Sequence, residues 1–180
     1  MFVQTEVTPN PNSLKFLPGK TVSNNGVFEV TKKEQIDNEL VRNLLSINGV
    51  KGVFLGSDFL SINKSDNVDW EDVKHIVISL INDFYSTGKE FVIENGLLDK
   101  KETDLIEIEK KIIKILDTKI RPAVAKDGGD IKFKEFKNGI VKVELQGSCS
   151  GCPSSTMTLK QGVQNLLCHY LPEVKEVVAV

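Results

Sequence analysis

Two of the chain's three cysteines, Cys149 and Cys152, form a C-x-x-C pair within Gly147-Ser148-Cys149-Ser150-Gly151-Cys152-Pro153-Ser154-Ser155. Two thiols held this close can form a disulfide with each other or share a metal. They cannot complete a four-thiolate site alone. An odd number of cysteines does not make a disulfide framework. In a reducing compartment such a pair serves catalysis or metal binding.

Four chemistries compete for the pair. In the first, both cysteines are small buried residues at a tight turn, because free cysteine packs as a hydrophobe. The flanking Gly147, Ser148, Ser150 and Gly151 argue against it, since they predict exposed, adaptable backbone. In the second, the pair is a dithiol redox centre at a helix N-terminus, where the helix dipole favours thiolate. A thioredoxin-like pair, however, opens a helix near the start of a βαβ pattern, and this one follows a hairpin late in the chain. In the third, Gly147-Ser148-Cys149-Ser150-Gly151 is a cysteine version of a nucleophile elbow. That requires a base within reach, and His75 and His169 both lie in distant helical segments.

The fourth chemistry is metal binding. Fifteen residues separate Cys152 from Cys168. If they are helical, Cys168 and His169 lie ~20 Å or more along the axis at ~1.5 Å per residue. Cys168 is also out of phase with Leu159, Val163 and Leu166, so it is expected to point away from the core. His169 is read as a structural side chain. Each chain then offers two thiolates, where clusters and structural zinc sites want four protein ligands. Two chains related by a two-fold axis would supply Cys149 and Cys152 twice. A [4Fe-4S] cluster held this way would be exposed at the subunit interface and easily surrendered.

The elements that must position the pair can be read from periodicity and turn residues. Residues 1–93 read as a domain of mixed α and β structure. Strands are expected at Phe2–Val7 and Leu14–Leu17, on either side of the turn-rich Thr8-Pro9-Asn10-Pro11-Asn12-Ser13, a structural turn or a recognition loop. Ile36, Leu40, Leu44 and Ile47 recur at helical spacing up to Asn48-Gly49. A hairpin follows over Val50–Leu55 and Phe59–Asn63. Asp69 is a candidate cap for a helix with Val73, Val77, Leu80, Ile81 and Phe84 on one face.

Residues 94–102 are polar apart from Leu97 and Leu98 and read as a linker. Residues 103–180 read as a second domain. Thr103 is the expected cap of a helix running through Leu105, Ile112, Ile113, Leu116 and Ile120 toward Pro122. Asp127-Gly128-Gly129-Asp130 predicts a tight turn whose aspartates bond local backbone. Two strands, Ile131–Phe136 and Ile140–Leu145, flank Asn138-Gly139, a strong hairpin signal. A helix over 154–170 is expected to turn Leu159, Val163, Leu166, Leu167 and Tyr170 inward, and Val174–Val180 closes the chain as a strand. The fold class is therefore α+β, as two small α+β domains joined by a short linker.

The bulk properties set limits. Lys and Arg number 23 against 25 Asp and Glu, for a net charge of -2. Residues 1–93 carry 9 basic and 12 acidic side chains, and residues 94–180 carry 14 and 13. Neither domain is basic enough to read as a nucleic-acid surface. No apolar run approaches the ~18 residues of a membrane span. Met1-Phe2-Val3-Gln4-Thr5-Glu6 shows no basic n-region, apolar h-region or Arg-rich leader. That opening leads to a bacterial cytoplasmic placement, or the mitochondrial matrix if a leader has been removed. Neither G-x-G-x-x-G nor G-x-x-x-x-G-K-[ST] occurs, so nucleotide binding is not expected.

Residues 103–180 resemble the C-terminal domain of NifU-type iron–sulfur proteins. The matching residues are Ile120-Arg121-Pro122, Asp127-Gly128-Gly129-Asp130, Gly147-x-Cys149-x-Gly151-Cys152-Pro153-Ser154-Ser155, Thr158-Leu159-Lys160-x-Gly162-Val163 and Pro172-Glu173-Val174. Residues 1–93 resemble the N-terminal domain of the Nfu subgroup through Thr8-Pro9-Asn10-Pro11-Asn12-Ser13-Leu14-Lys15-Phe16 and Gly49-Val50-x-x-Val53-Phe54. Together the two cover nearly the whole chain. The resemblance implies a scaffold or carrier that receives a [4Fe-4S] cluster between two subunits and passes it to apo-proteins. The ligand role carries over to Cys149 and Cys152 only. It implies self-association on cluster binding, an upstream cluster donor and apo iron–sulfur acceptors, with no substrate turned over and hence no enzyme. The alternative is a thiol-disulfide oxidoreductase using the same pair.

Overall fold

A computed structural model describes residues 2–24, 26–90, 105–150 and 153–180. The chain divides into two compact units, Met1–Leu97 and Leu98–Val180. The proposed linker 94–102, Thr103 and Cys152 lie outside the described residues. Both units mix helices and strands, as expected for an α+β protein.

The first unit is a five-stranded antiparallel sheet in the order β1-β2-β5-β4-β3. Its strands are β1 (Gln4–Val7), β2 (Ser13–Leu17), β3 (Phe28–Val30), β4 (Val50–Leu55) and β5 (Leu60–Lys64). Two helices, α1 (Glu39–Leu45) and α2 (Trp70–Ser86), supply Leu40, Val41, Leu44, Val73, Val77 and Ile81 to a core with Phe16, Val53, Leu60 and Ile62. Helix α1 stops at Leu45, short of Asn48-Gly49, and a 3₁₀ turn over Lys33–Gln35 precedes it. Asp69 stands at the N-cap of α2, but its side chain makes no capping bond.

The Thr8–Ser13 segment is a turn tied internally. Thr8 Oγ1 donates to the Ser13 carbonyl at 2.9 Å, and Asn10 Oδ1 accepts from Asn12 N–H at 2.9 Å. Trp70 Nε1 donates to the Pro11 carbonyl at 3.0 Å, and Lys64 Nζ reaches Asn12 Oδ1 at 3.0 Å. These bonds pair polar groups of Thr8, Pro11, Asn12 and Ser13 in a Pro- and Asn-rich loop.

The second unit begins with α3 (Glu107–Ile115), continues through a π-helical turn over Leu116–Ile120, and ends in α4 (Arg121–Lys126). Pro122 was expected to mark the helix end. It instead sits in the first turn of α4, where a missing N–H costs little. The π turn absorbs the change upstream, with Arg121 N–H bonding the Leu116 carbonyl five residues back. Strands β6 (Gly129–Lys137) and β7 (Ile140–Gly147) pair antiparallel around Asn138 (φ 53°) and Gly139 (φ 79°). Both dihedrals suit a type I′ hairpin turn.

Helix α5 (Pro153–Tyr170) then crosses back, so that β8 (Glu176–Ala179) pairs parallel to β7 and the sheet order is β6-β7-β8. Ile112, Leu116, Ile120 and Val124 pack with Ile131, Val141, Val143, Val163, Leu167 and Val177 in one core. Tyr170 does not turn inward and is 48% exposed. It sits on the last residue of α5, past the packed stretch. Cys168, expected to face away, is half-buried against the core, where Leu171 and Val174 draw the chain in toward β8.

Candidate functional site

The C-x-x-C loop joins the end of β7 to the start of α5. Gly147 ends the ladder opposite Gly129, and its φ of 65° turns the chain out of the strand. Ser148 N–H donates to the Gly128 carbonyl at 3.2 Å, and Ser148 Oγ donates to the Asp127 carbonyl. Ser150 Oγ donates to the Gly147 carbonyl at 2.9 Å, and Thr156 Oγ1 donates to the Cys149 carbonyl at 3.2 Å. Serine and threonine are used here for short hydroxyls that can reach nearby carbonyls.

The described flanks, Gly147, Ser148 and Ser150, thus do not build the exposed segment expected of them. Ser148 is 2% exposed and Cys149 7% exposed, and Cys149 belongs to the core of the second unit. Its sulfur lies over Gly129, where a Cβ would stand 2.6 Å from Cys149 Sγ and 2.7 Å from the Gln146 carbonyl. The second glycine of Asp127-Gly128-Gly129-Asp130 therefore leaves room for the thiol. The first, Gly128, has a φ of 81°, which permits the tight turn into β6.

Burial pushes the Cys149 thiol up to about 11, reinforced by the charges of Asp127 and Asp130 and opposed by a hydrogen bond with Ser148. The lowered pKa expected from a helix N-terminus does not arise at Cys149. Helix α5 starts at Pro153, four residues after Cys149, and desolvation outweighs any dipole at that position. At neutral pH Cys149 rests as a protonated thiol.

The turn reading has the aspartates bonding local backbone, and the structure gives Asp130 a side-chain partner, Arg121. Asp130 is 3% exposed and accepts Arg121 Nε at 2.8 Å and Nη2 at 3.0 Å, while Arg121 Nη1 reaches Asp117 Oδ1 at 3.1 Å. Hydrogen bonding to Asp130 holds the guanidinium further into its charged form. The only sign of this pair in the sequence is the positions themselves, Arg121 nine residues before Asp130. That spacing has no helical or strand period to reveal it.

Helix α5 is unbroken to Tyr170, so Cys168 lies ~22 Å along it from Pro153 at ~1.5 Å per residue. His169 is exposed and packs edge-on to Tyr170. His75 is also exposed, on α2 of the other unit. Among the described residues no three His, Cys, Asp or Glu side chains come together as a metal site. No helix among them is long and apolar enough to cross a membrane.

Two family models match: "Scaffold protein Nfu/NifU N terminal" over residues 3–88 and "NifU-like domain" over residues 112–178. The chain is 45% identical over 182 residues to "NFU1 iron-sulfur cluster scaffold homolog, mitochondrial" of Homo sapiens, covering 98% of this chain and 71% of that protein. The chain belongs to the NifU-like Nfu family. Another family member, "NifU-like protein 4, mitochondrial" of Arabidopsis thaliana, is 43% identical over 184 residues, covering 98% of this chain and 65% of its own length. The chain thus spans about two thirds of that relative. The solution structure of a NifU-like protein from Saccharomyces cerevisiae aligns with 53% of this Nfu-family chain and 86% of its own, at TM-score 0.46 and 27% identity.

Proposed function

We propose that the protein is an iron–sulfur cluster scaffold and carrier, and that Cys149 and Cys152 of two chains together hold a [4Fe-4S] cluster as cargo. The observation that carries this reading is the isolation of Cys149. An unbroken α5 keeps Cys168 and His169 at its far end, so no third ligand joins Cys149 from its own chain among the described residues. Membership in a family whose named relatives include an iron–sulfur cluster scaffold homolog supports it.

Loading begins with the loop. The hydroxyl bonds of Ser148 and Thr156 give way, the Cys149 sulfur leaves Gly129, and the thiols lose their protons as iron binds. Release is ligand exchange. An acceptor cysteine takes over an iron as the bond from Cys149 or Cys152 breaks, and the departing sulfur recovers a proton. Once empty, the Cys149 thiol returns to its apolar seat. Self-association on loading, an upstream donor and apo iron–sulfur acceptors follow as the partners. No substrate is chemically converted, so the protein acts as a carrier and not an enzyme. The relatives compared are mitochondrial by name, which favours the matrix over a bacterial cytoplasm.

The test is transfer. The anaerobically loaded protein is mixed with an apo-protein that needs a [4Fe-4S] cluster, and the acceptor's recovered activity is followed. Wild type activates the acceptor, whereas Cys149→Ser and Cys152→Ser do not. Activation by either variant at the wild-type rate contradicts the ligand assignment. Catalytic disulfide reduction without cluster uptake would favour the thiol-disulfide oxidoreductase instead.

A further inference from the structure

Asp130 is the only buried carboxylate among the described residues, and it follows Gly129, on which the Cys149 sulfur rests. Its charge acts on that sulfur, as does the charge of the exposed Asp127. Asp117 adds a third carboxylate at the far side of Arg121. A site whose thiol faces the charge of two carboxylates is a poor place to gather thiolates. A [4Fe-4S] core bound by four thiolates is itself net anionic, and two copies of the chain would bring all of these charges together twice.

Arg121 is the cation paired with the buried one of these carboxylates, Asp130. Its Nε and Nη2 grip both oxygens of Asp130 in the bidentate geometry that distinguishes arginine from lysine. The π turn at Leu116–Ile120 puts it there. One extra residue in the turn rotates Arg121 by roughly 100°, one residue's share of a 3.6-residue turn. Such single-turn π segments inside α-helices occur often at functional sites. The guanidinium is not sealed in, since the Arg121 side chain is 37% exposed while that of Asp130 is 5% exposed.

We propose that Arg121 is a charge-compensating positioning residue for the cluster: fixed by Asp130, it offsets the carboxylates beside Cys149 so that an anionic cluster can be held there. This inference rests on the cluster reading above. It adds a role that neither cysteine supplies, because Arg121 sets how stable and how easily reduced the bound cluster is without coordinating iron.

The full-length chain is reconstituted anaerobically as wild type, Arg121→Gln, Asp130→Asn and the double variant. Two quantities are measured on each: the rate of cluster loss to an iron chelator, and the midpoint potential of the bound cluster. Arg121→Gln is expected to lose its cluster several-fold faster and to shift the potential negative. Asp130→Asn is expected to shift the potential positive, and the double variant to return close to wild type in both measures. If Arg121→Gln does not fold, the double variant compared with Asp130→Asn carries the same test, with the more negative potential expected in the double. Shifts of the same sign in both single variants, no shift in either, or a double variant as labile as Arg121→Gln would overturn the role. Failure of wild type to take up a cluster would instead overturn the reading beneath it.

Discussion

At the scale of the residue, Cys149 meets two opposed demands. In the proposed account it reaches a cluster shared with another chain, yet the structure holds it at 7% exposure over Gly129. The raised pKa is the signature of the second demand. A thiol at about 11 against an ordinary 9.0 has about a hundredfold less thiolate at neutral pH. Iodoacetamide labelling of Cys149 in the native empty protein, followed by peptide mass spectrometry, is therefore expected to be far slower than in the denatured chain. Equal rates would show that the thiol is not sequestered. Because the folded pKa lies above the unfolded one, burial of the protonated thiol contributes fully to stability below about pH 9, and the contribution is lost as pH rises toward about 11. Urea unfolding across that window checks the sign, and a stability that rose with pH from this group would contradict it. Ser148→Ala removes one tie on the loop and should speed native labelling. Gly129→Ala places a methyl against the sulfur and should destabilise the protein by about 1–3 kcal/mol, measured by the same unfolding.

At the scale of the element, legibility followed the strength of the local signal. Asn138-Gly139 marked its hairpin because both positions need positive φ, which few residue pairs tolerate. Helix α5 showed itself through Val163 and Leu167, and α2 through Val73, Val77 and Ile81. The three-residue β3, Phe28–Val30, is too short to display a period. The π turn was invisible because Leu116, Ile120 and Val124 keep an ordinary i, i+4 spacing through it. Cys149 and Cys152 were legible as a pair from spacing alone, but burial of Cys149 was not. Glycine and serine flanks suit a surface loop as well as a tightly tied one, and tertiary contacts with Gly128 and Asp127 decide between them. A side-chain hydrogen bond ties α5 to β8: Gln164 Oε1 accepts the Val177 N–H at 3.1 Å. Gln164→Ala leaves that donor without its partner in a buried strand residue, so a loss of about 0.5–1.5 kcal/mol is expected by chemical denaturation. An unchanged midpoint would mean that the bond contributes nothing.

At the scale of the whole molecule, the family assignment extends to both units, whereas the chemistry proposed here occupies one. The first unit holds a separate core and a tied Thr8–Ser13 turn, and His75 on its α2 is far from any cysteine in sequence. In the proposed reading, the second unit supplies half of a four-thiolate site. The central claim is that two such halves meet around one cluster, and stoichiometry tests it most directly. The full-length protein is reconstituted anaerobically with iron and sulfide, and iron per chain is measured with mass by light scattering. The account predicts a dimer with about two irons per chain, four shared through Cys₄ ligation, and a Cys149→Ser protein that gains neither cluster nor partner. A loaded monomer with a complete cluster, or a Cys149→Ser protein that still forms the loaded dimer, would contradict it.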